Sequence, residues 1–207
     1  MWQKGVQKMS AYTNQEKVEA YLDRDLTANE ETLLDGVIAY ISNVINGYTN
    51  RIWNDIDGDA PEASEKIYDG NGKREVFVDD FTELTSVDLL DSNGDSYQTL
   101  SDVSEFINYP LNSGVYESIH LRNYRIGNGA GRIKVTAVFT SGEAPDDIVM
   151  VATALVAKFM ARRSVNAGAF KKESIEGYSY EVMNGKDADE ETKALLMSLD
   201  SWRKITI

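Results

Sequence analysis

The sequence predicts an α+β fold: a helical bundle formed by the N- and C-terminal helices, with a β-rich insertion between the second helix and the central one. Two patterns carry this. Apolar residues recur at helical spacing toward both ends of the chain, whereas the middle alternates with period two and is punctuated by Asn-Gly and Asp-Gly turns. Residues 13–53 and 143–204 are read as the helical core domain and 54–142 as an acidic β-rich insertion. Residues 1–12 are read as a leader and 205–207 as a C-terminal tail.

Thr13-Asn14-Gln15-Glu16 reads as a capping box with Thr13 at the cap, followed by Val18, Tyr21 and Leu22 at helical spacing. A second box, Thr27-Ala28-Asn29-Glu30, opens a longer helix reaching about residue 50. Its stripe runs Leu33, Leu34, Val37, Ile38, Ile41, Val44, Ile45 and Tyr48. Asp- and Gly-containing sequence from Asn54 to Ser64 then marks a connection.

In the insertion, Asp69-Gly70-Asn71-Gly72 is expected to join Lys66-Ile67-Tyr68 to Arg74–Val78 as a hairpin. Ser92-Asn93-Gly94-Asp95 is expected to join Val87–Leu90 to Tyr97–Leu100. Gly127-Asn128-Gly129-Ala130-Gly131 reads as a hairpin tip between Val115–Leu121 and Arg132–Thr140. In the latter segment Ile133, Val135, Ala137 and Phe139 form one face. Helical character returns at Pro145, with Asp146 and Asp147 suited to a helix N-terminus and a broad apolar face from Ile148 to Met160. An extended arm, Ile175–Met183, precedes a third box at Asp187–Glu190 and a final helix through Leu195, Leu196, Leu199 and Trp202.

Composition sets the outer bounds. The 207 residues are 42% hydrophobic and 27% charged, with three Trp and eleven Tyr, enough apolar surface for a core. The absence of cysteine excludes disulfides and thiolate metal sites. No stretch approaches the roughly 20 apolar residues of a membrane span, and Met1-Trp2-Gln3-Lys4-Gly5 lacks the apolar core of a signal peptide, so a cytosolic origin is expected.

The formal net charge of −13 is unevenly placed. No Lys or Arg lies between Arg74 and Arg122, while Glu75, Asp79, Asp80, Glu83, Asp88, Asp91, Asp95, Asp102 and Glu105 all do. Lys158, Arg162, Arg163, Lys171 and Lys172 form an opposite, acid-free island. Overall acidity argues against a protein that grips nucleic acid, which needs a basic face.

No motif demands catalysis. His120, the only histidine, lies mid-strand without an accompanying partner motif. The Gly127–Gly131 run is followed by period-two alternation rather than a helix, so it does not fit a dinucleotide fingerprint. Asp91–Asp95 opens like a calcium loop, but Ser96 and Asp102 occupy the positions that require Gly and Glu; Asp55–Asp59 is discounted likewise. Asp79-Asp80 and Asp146-Asp147 are carboxylate pairs of the kind expected by chance in so acidic a chain. No catalytic residue, cofactor or metal ligand is assigned.

Four passages, in order, resemble the head–tail connector (adaptor, or head-completion) family of long-tailed double-stranded-DNA phages. They are Gln15–Asp25 with Thr27–Trp53, Tyr68–Gly72 with Val76-Phe77-Val78, Gly142–Ile148, and Lys172–Tyr180 with Leu199–Arg203. The resemblance covers most of the chain after residue 12; the leader departs from it.

It implies a structural virion protein in the neck below the portal, present in host cytoplasm during assembly. The implied partners are the portal, neighbouring copies in a ring (typically twelve-fold), a stopper or tail protein, and passing double-stranded DNA bound without sequence specificity; no membrane is involved. The residues expected at a portal or subunit interface are Arg162, Arg163, Lys171, Lys172, Trp202, Ile205, Thr206 and Ile207. The tail would add a strand to a neighbour's sheet, and the basic run would meet an acidic surface. Local explanations stand beside these: the acidity serves solubility, the tail frays, and Arg162 and Arg163 complement their own helix dipole. Another neck component such as a stopper, and an acid-based hydrolase, are the competing readings; helix-rich ends disfavour a mostly β stopper.

Overall fold

A computed structural model describes residues 11–165 and 190–204, with side chains from 162 to 165 excepted. The described residues contain four α-helices and seven strands in two sheets, a mixed α+β fold as the periodicities predict. They divide into two compact units, one spanning Ala60–Gly142 and one combining residues up to Asp59 with those from Glu143.

In the helical unit, α1 spans Gln15–Leu22, α2 Ala28–Thr49, α3 Asp146–Val165 and α4 Glu190–Met197. The extended arm expected over Ile175–Met183 lies outside the described residues.

The cap of α1 is Asn14 rather than Thr13: its side chain accepts from the Lys17 N–H at 3.1 Å. The Thr13 hydroxyl is drawn instead to the Thr153 hydroxyl of α3, 2.7 Å away. Thr153 donates its own proton to the Val149 carbonyl, which leaves Thr13 as the donor to Thr153. Tertiary contact therefore outbids the local cap.

The second box forms as predicted. Thr27 Oγ1 accepts from the Glu30 N–H, and Glu30 accepts from the Thr27 N–H at 2.9 Å. Arg24 forks onto both Glu30 oxygens at 3.0 and 2.8 Å. That guanidinium holds the Glu30 carboxyl down at about 2, against a burial effect that raises it, with Thr27 assisting.

Leu34, Val37, Ile38, Ile41, Val44 and Ile45 of the predicted α2 stripe are buried, with Leu33 and Tyr48 at its margins. Helix α3 lies against α1, α2 and α4, and Val151, Ala152, Ala154, Leu155, Val156 and Ala157 are all buried. A helix apolar on consecutive residues has no face to give to water, which accounts for its central place. Tyr12, part of the expected leader, is fully buried edge-on to Trp53 with ring centroids 5.9 Å apart. Its hydroxyl accepts from the Trp53 N–H at 3.0 Å and lies 2.5 Å from the Asn46 amide.

The β unit has strands β1 (Ser64–Asn71), β2 (Glu75–Phe81), β3 (Glu83–Leu90), β4 (Ser96–Leu100), β5 (Phe106–Tyr109), β6 (Tyr116–Leu121) and β7 (Asn128–Val138). They form a four-stranded sheet, β1-β7-β3-β4, and a three-stranded sheet, β2-β6-β5. Inward residues of both sheets share one core, including Val76, Phe81, Ile119 and Leu121 from one and Val87, Leu89, Ile133 and Val135 from the other. Phe81 pairs with Tyr116 in the smaller sheet, and after Thr82 donates to the Val138 carbonyl, Glu83 pairs with Val138 in the larger. One residue thus turns the chain from sheet to sheet.

The β3–β4 hairpin forms about the predicted turn, with Val87 opposite Leu100. The other two expected hairpins do not. β1 pairs with β7 and β2 with β6, so both turns carry the chain between sheets. Glycine explains the β1–β7 choice. Gly70 lies opposite Gly129, and a Cβ on Gly70 would stand 1.7 Å from the Gly127 carbonyl oxygen. The run read as a hairpin tip is the place where two backbones meet too closely for side chains.

Three variants test these contacts. Gly70→Ala is expected to lower stability toward the upper end of about 1–3 kcal/mol or beyond, by urea denaturation, because backbone rather than a flexible side chain must move. For the helical unit, Thr27→Ala should cost about 1 kcal/mol. The Glu30 contribution is present above the ordinary Glu value of 4.5 and disappears as pH falls toward about 2. In Glu30→Gln that portion of the pH dependence of the urea midpoint should vanish.

Candidate functional site

Of the residues the sequence places at an interface, Trp202 is described in full. After α4, fully buried Leu199 anchors the chain, which turns through a short 3₁₀ segment at Asp200–Trp202. The half-buried Trp202 ring packs on the helical core, and its Nε1–H donates to Asp147 Oδ2 at 3.3 Å. Asp147 therefore serves α3's positive N-terminal end and the indole together.

Four further contacts fasten this segment to the end of α2. The Tyr48 hydroxyl donates to Asp200 Oδ1 at 2.6 Å, and the Arg203 guanidinium lies 5.1 Å from the Tyr48 ring centroid. The Lys204 N–H donates to the Thr49 carbonyl at 2.8 Å, while Asn50 Nδ2 donates to the Lys204 carbonyl at 3.3 Å. Carbonyls in the last turn of a helix have no intrahelical donor, so the C-terminal backbone supplies one that the helix lacks. Asn50 reaches it from a left-handed conformation, φ 53°, just past the helix end. Tyr48, Asn50, Asp200 and Arg203 are thus working residues that the sequence analysis missed; the Asn at the helix terminus was the available signal.

The remaining interface candidates are not gathered around Trp202. Arg162 and Arg163 lie in α3, with side chains outside the description, and Lys171, Lys172, Ile205, Thr206 and Ile207 fall outside the described residues. Lys158, at the start of the basic run, pairs with Glu191 of α4 at 2.6 Å.

The candidates for chemistry have structural surroundings. His120 is half-buried in β6, opposite Glu75 of β2 on one side and Ile107 of β5 on the other. Asp79 accepts from Lys66 at 2.8 Å and from Tyr68 at 3.1 Å. Burial, chiefly, raises the Tyr68 hydroxyl above its ordinary range and keeps it a donor. Buried Asp80 accepts from Ser141 Oγ at 2.5 Å. Asp88, also buried, is opposed by desolvation, yet Thr99 and Lys134 (2.9 Å) together keep its carboxyl below the usual range.

The two calcium-like loops repeat one hydrogen-bond pattern. Asp55 Oδ1 accepts from the N–H groups of Asp57 and Asp59 at 3.1 and 2.8 Å, and Asp91 Oδ1 from those of Asn93 and Asp95 at 2.8 and 3.1 Å. Each aspartate closes its own turn. Among the described residues, no three of His, Asp and Glu converge as ligands for a metal ion, and no helix is long and apolar enough to cross a membrane.

No protein-family profile matches the chain, and no curated protein matches it. Among solved structures it is similar to a chain from the neck of an empty GTA particle computed with C6 symmetry. The similarity covers 93% of this chain and 89% of that one, at 13% identity and a TM-score of 0.47. A likeness of that degree assigns neither family nor partner.

The C-terminal fastening makes its own prediction. Lys204→Pro removes the N–H given to Thr49 and should lower the urea stability of the helical unit by about 1 kcal/mol. Lys204→Ala keeps that N–H and should cost less.

Proposed function

We propose that the chain is a structural, non-enzymatic virion protein of the phage neck: an adaptor subunit that rings with neighbouring copies beneath the portal. It would join the portal to a stopper or tail protein and extend the channel through which double-stranded DNA passes. The observation that carries this reading is the order of the passages resembling the connector family. They fall on α1 and α2, on the β1–β2 connection, on the start of α3 and on the fastened segment Leu199–Arg203, while Lys172–Tyr180 lies outside the described residues.

Two structural features support it. Three of the four carboxylates weighed as acids or bases are occupied in holding the fold: Asp79 with Lys66 and Tyr68, Asp80 with Ser141, Asp147 with Trp202. The chain also reaches Lys204 in a fixed position, so Ile205-Thr206-Ile207 would be offered to a partner from a defined point on the helical unit. The net charge of −13 would discourage the channel wall from holding DNA.

Co-purification with the portal of the same particle tests this. A chain ending at Lys204 retains the backbone contacts to Thr49 and Asn50, and should keep its urea midpoint while losing portal binding. Removal from Trp202 onward is the less informative truncation, since it also strips the indole from Asp147 and the cap from α2. Undiminished portal binding by the chain ending at Lys204 would remove the tail from the interface, and hydrolytic activity in purified wild-type protein would overturn the structural reading.

A further inference from the structure

The end of the β unit farthest from its first and last residues is divided by charge. β1 ends there at Asn71, β7 begins at Asn128, β2 begins at Glu75 and β6 ends at Leu121. The connections bring Lys73, Arg74, Arg122, Arg125 and Arg132 together. Ile126 and Leu121 donate backbone N–H groups to the carbonyls of Lys73 and Arg74, both at 2.8 Å, and Arg74 Nη1 donates to the Arg122 carbonyl at 2.9 Å. Arg132 lies folded along Gly127 and Gly129, its Nε donating to the Asn128 carbonyl at 3.3 Å.

Lys73, Arg74, Arg122 and Arg125 are exposed, and among the described residues none of the five cations forms an ion pair. The nearby Asp69 and Glu75 are engaged otherwise, accepting from the Gly131 N–H at 2.9 Å and from Ser118 Oγ at 3.1 Å.

The other half of this end, the β3–β4 turn and the β4–β5 loop, carries four further carboxylates, Asp91, Asp95, Asp102 and Glu105, of which Asp91, Asp102 and Glu105 accept from nearby backbone N–H groups. In the larger sheet they are separated from the β1–β7 side by the β3–β4 edge, two strand spacings or ~10 Å from β7 to β4. The boundary in the smaller sheet runs where Arg122 N–H donates to the Glu105 carbonyl at 2.8 Å. Asp95 and Asp102 are exposed. Four carboxylates on the same end disfavour duplex DNA as its occupant, since phosphate neutralisation needs a basic face. A second copy of this chain can seat its acidic half on the basic half, leaving the other half of each copy for a further neighbour.

We propose that this charge-divided end is the contact between neighbouring copies, the basic half of one seated head-to-tail on the acidic half of the next. Contacts of this heterologous kind close into rings when the rotation permits. The inference rests on the ring reading above and names the surface that builds it.

Two charge-reversed proteins test it, Arg122→Glu/Arg125→Glu and Asp95→Lys/Asp102→Lys, with folding checked by urea midpoint. Sedimentation velocity follows self-association at low and high salt, alone and on added portal. Each variant alone should associate more weakly than wild type by roughly tenfold or more. An equimolar mixture should recover association, because alternating copies pair opposite signs at every junction. The milder Arg122→Gln/Arg125→Gln should fall between. Wild-type rings on portal with equally good rings from either variant, or no recovery on mixing, would overturn this contact and leave the ring reading intact. Failure of wild type to associate in any condition would overturn both. Loss of duplex-DNA binding with unaltered self-association in Arg122→Glu/Arg125→Glu would reassign the cations to phosphate and also overturn it.

Discussion

The pairing of β1 with β7 is the constraint on which the β unit depends. These are its first and last strands, and they lie antiparallel from Ser64 opposite Ala137 to Asn71 opposite Asn128. A segment whose ends pair with each other can leave the helical chain and return at nearly the same point, which is how an insertion is tolerated by its host. The pair also puts β7 inside the larger sheet, flanked by β1 and β3, where Ile133, Val135 and Ala137 are wholly buried. Gly70 and Gly129 permit the close approach that finishes the ladder. The same approach gathers Arg132 with the loops carrying Arg122 and Arg125, so the glycine run shapes the charged end without touching a ligand itself.

In the helical unit the corresponding role falls to α3. Its small and apolar residues let α1, α2 and α4 pack around it, and the Thr13–Thr153 bond fixes the chain just ahead of α1. The far end of α2 is completed from the opposite terminus of the chain, where the Lys204 backbone meets the Thr49 carbonyl. Residues some 150 positions apart in sequence, such as Tyr48 and Asp200, thereby share one polar cluster. Fastening of this sort orders the chain as far as Lys204 and would lower the entropy lost if a partner bound beyond it.

Acidic residues, so abundant here, do several separate jobs. Glu30 completes a cap and receives Arg24; Asp55 and Asp91 close turns; Asp88 neutralises Lys134 beside the β core. Asp102 likewise closes its own turn, accepting from the Ser104 N–H at 2.7 Å, whereas Asp95 stands exposed. Sequence charge counts do not separate these uses, because a carboxylate bonded to its own turn and one facing solvent contribute the same formal charge.

What the sequence by itself determined was local. It contained the Thr27 box, the α2 stripe, the inward face Ile133-Val135-Ala137 and the β3–β4 hairpin, because each depends on periodicity or turn chemistry within a few residues. The cap of α1 was misread by one position, since Thr13 and Asn14 are equally able caps until α3 offers Thr153 to one of them. Tyr12 looked like leader for the same reason: its partners Asn46 and Trp53 lie more than thirty residues away. Only the tertiary structure decided which strands pair. Turn residues tell the chain to reverse, but the strand that receives it is chosen by matching apolar faces and by whether two backbones can approach, as Gly70 and Gly129 do. The candidate interface divided likewise. Trp202 was legible as an aromatic at helical spacing, whereas its indole bond to Asp147, the cap on α2 and the charge-divided end of the β unit exist only once distant segments are brought together.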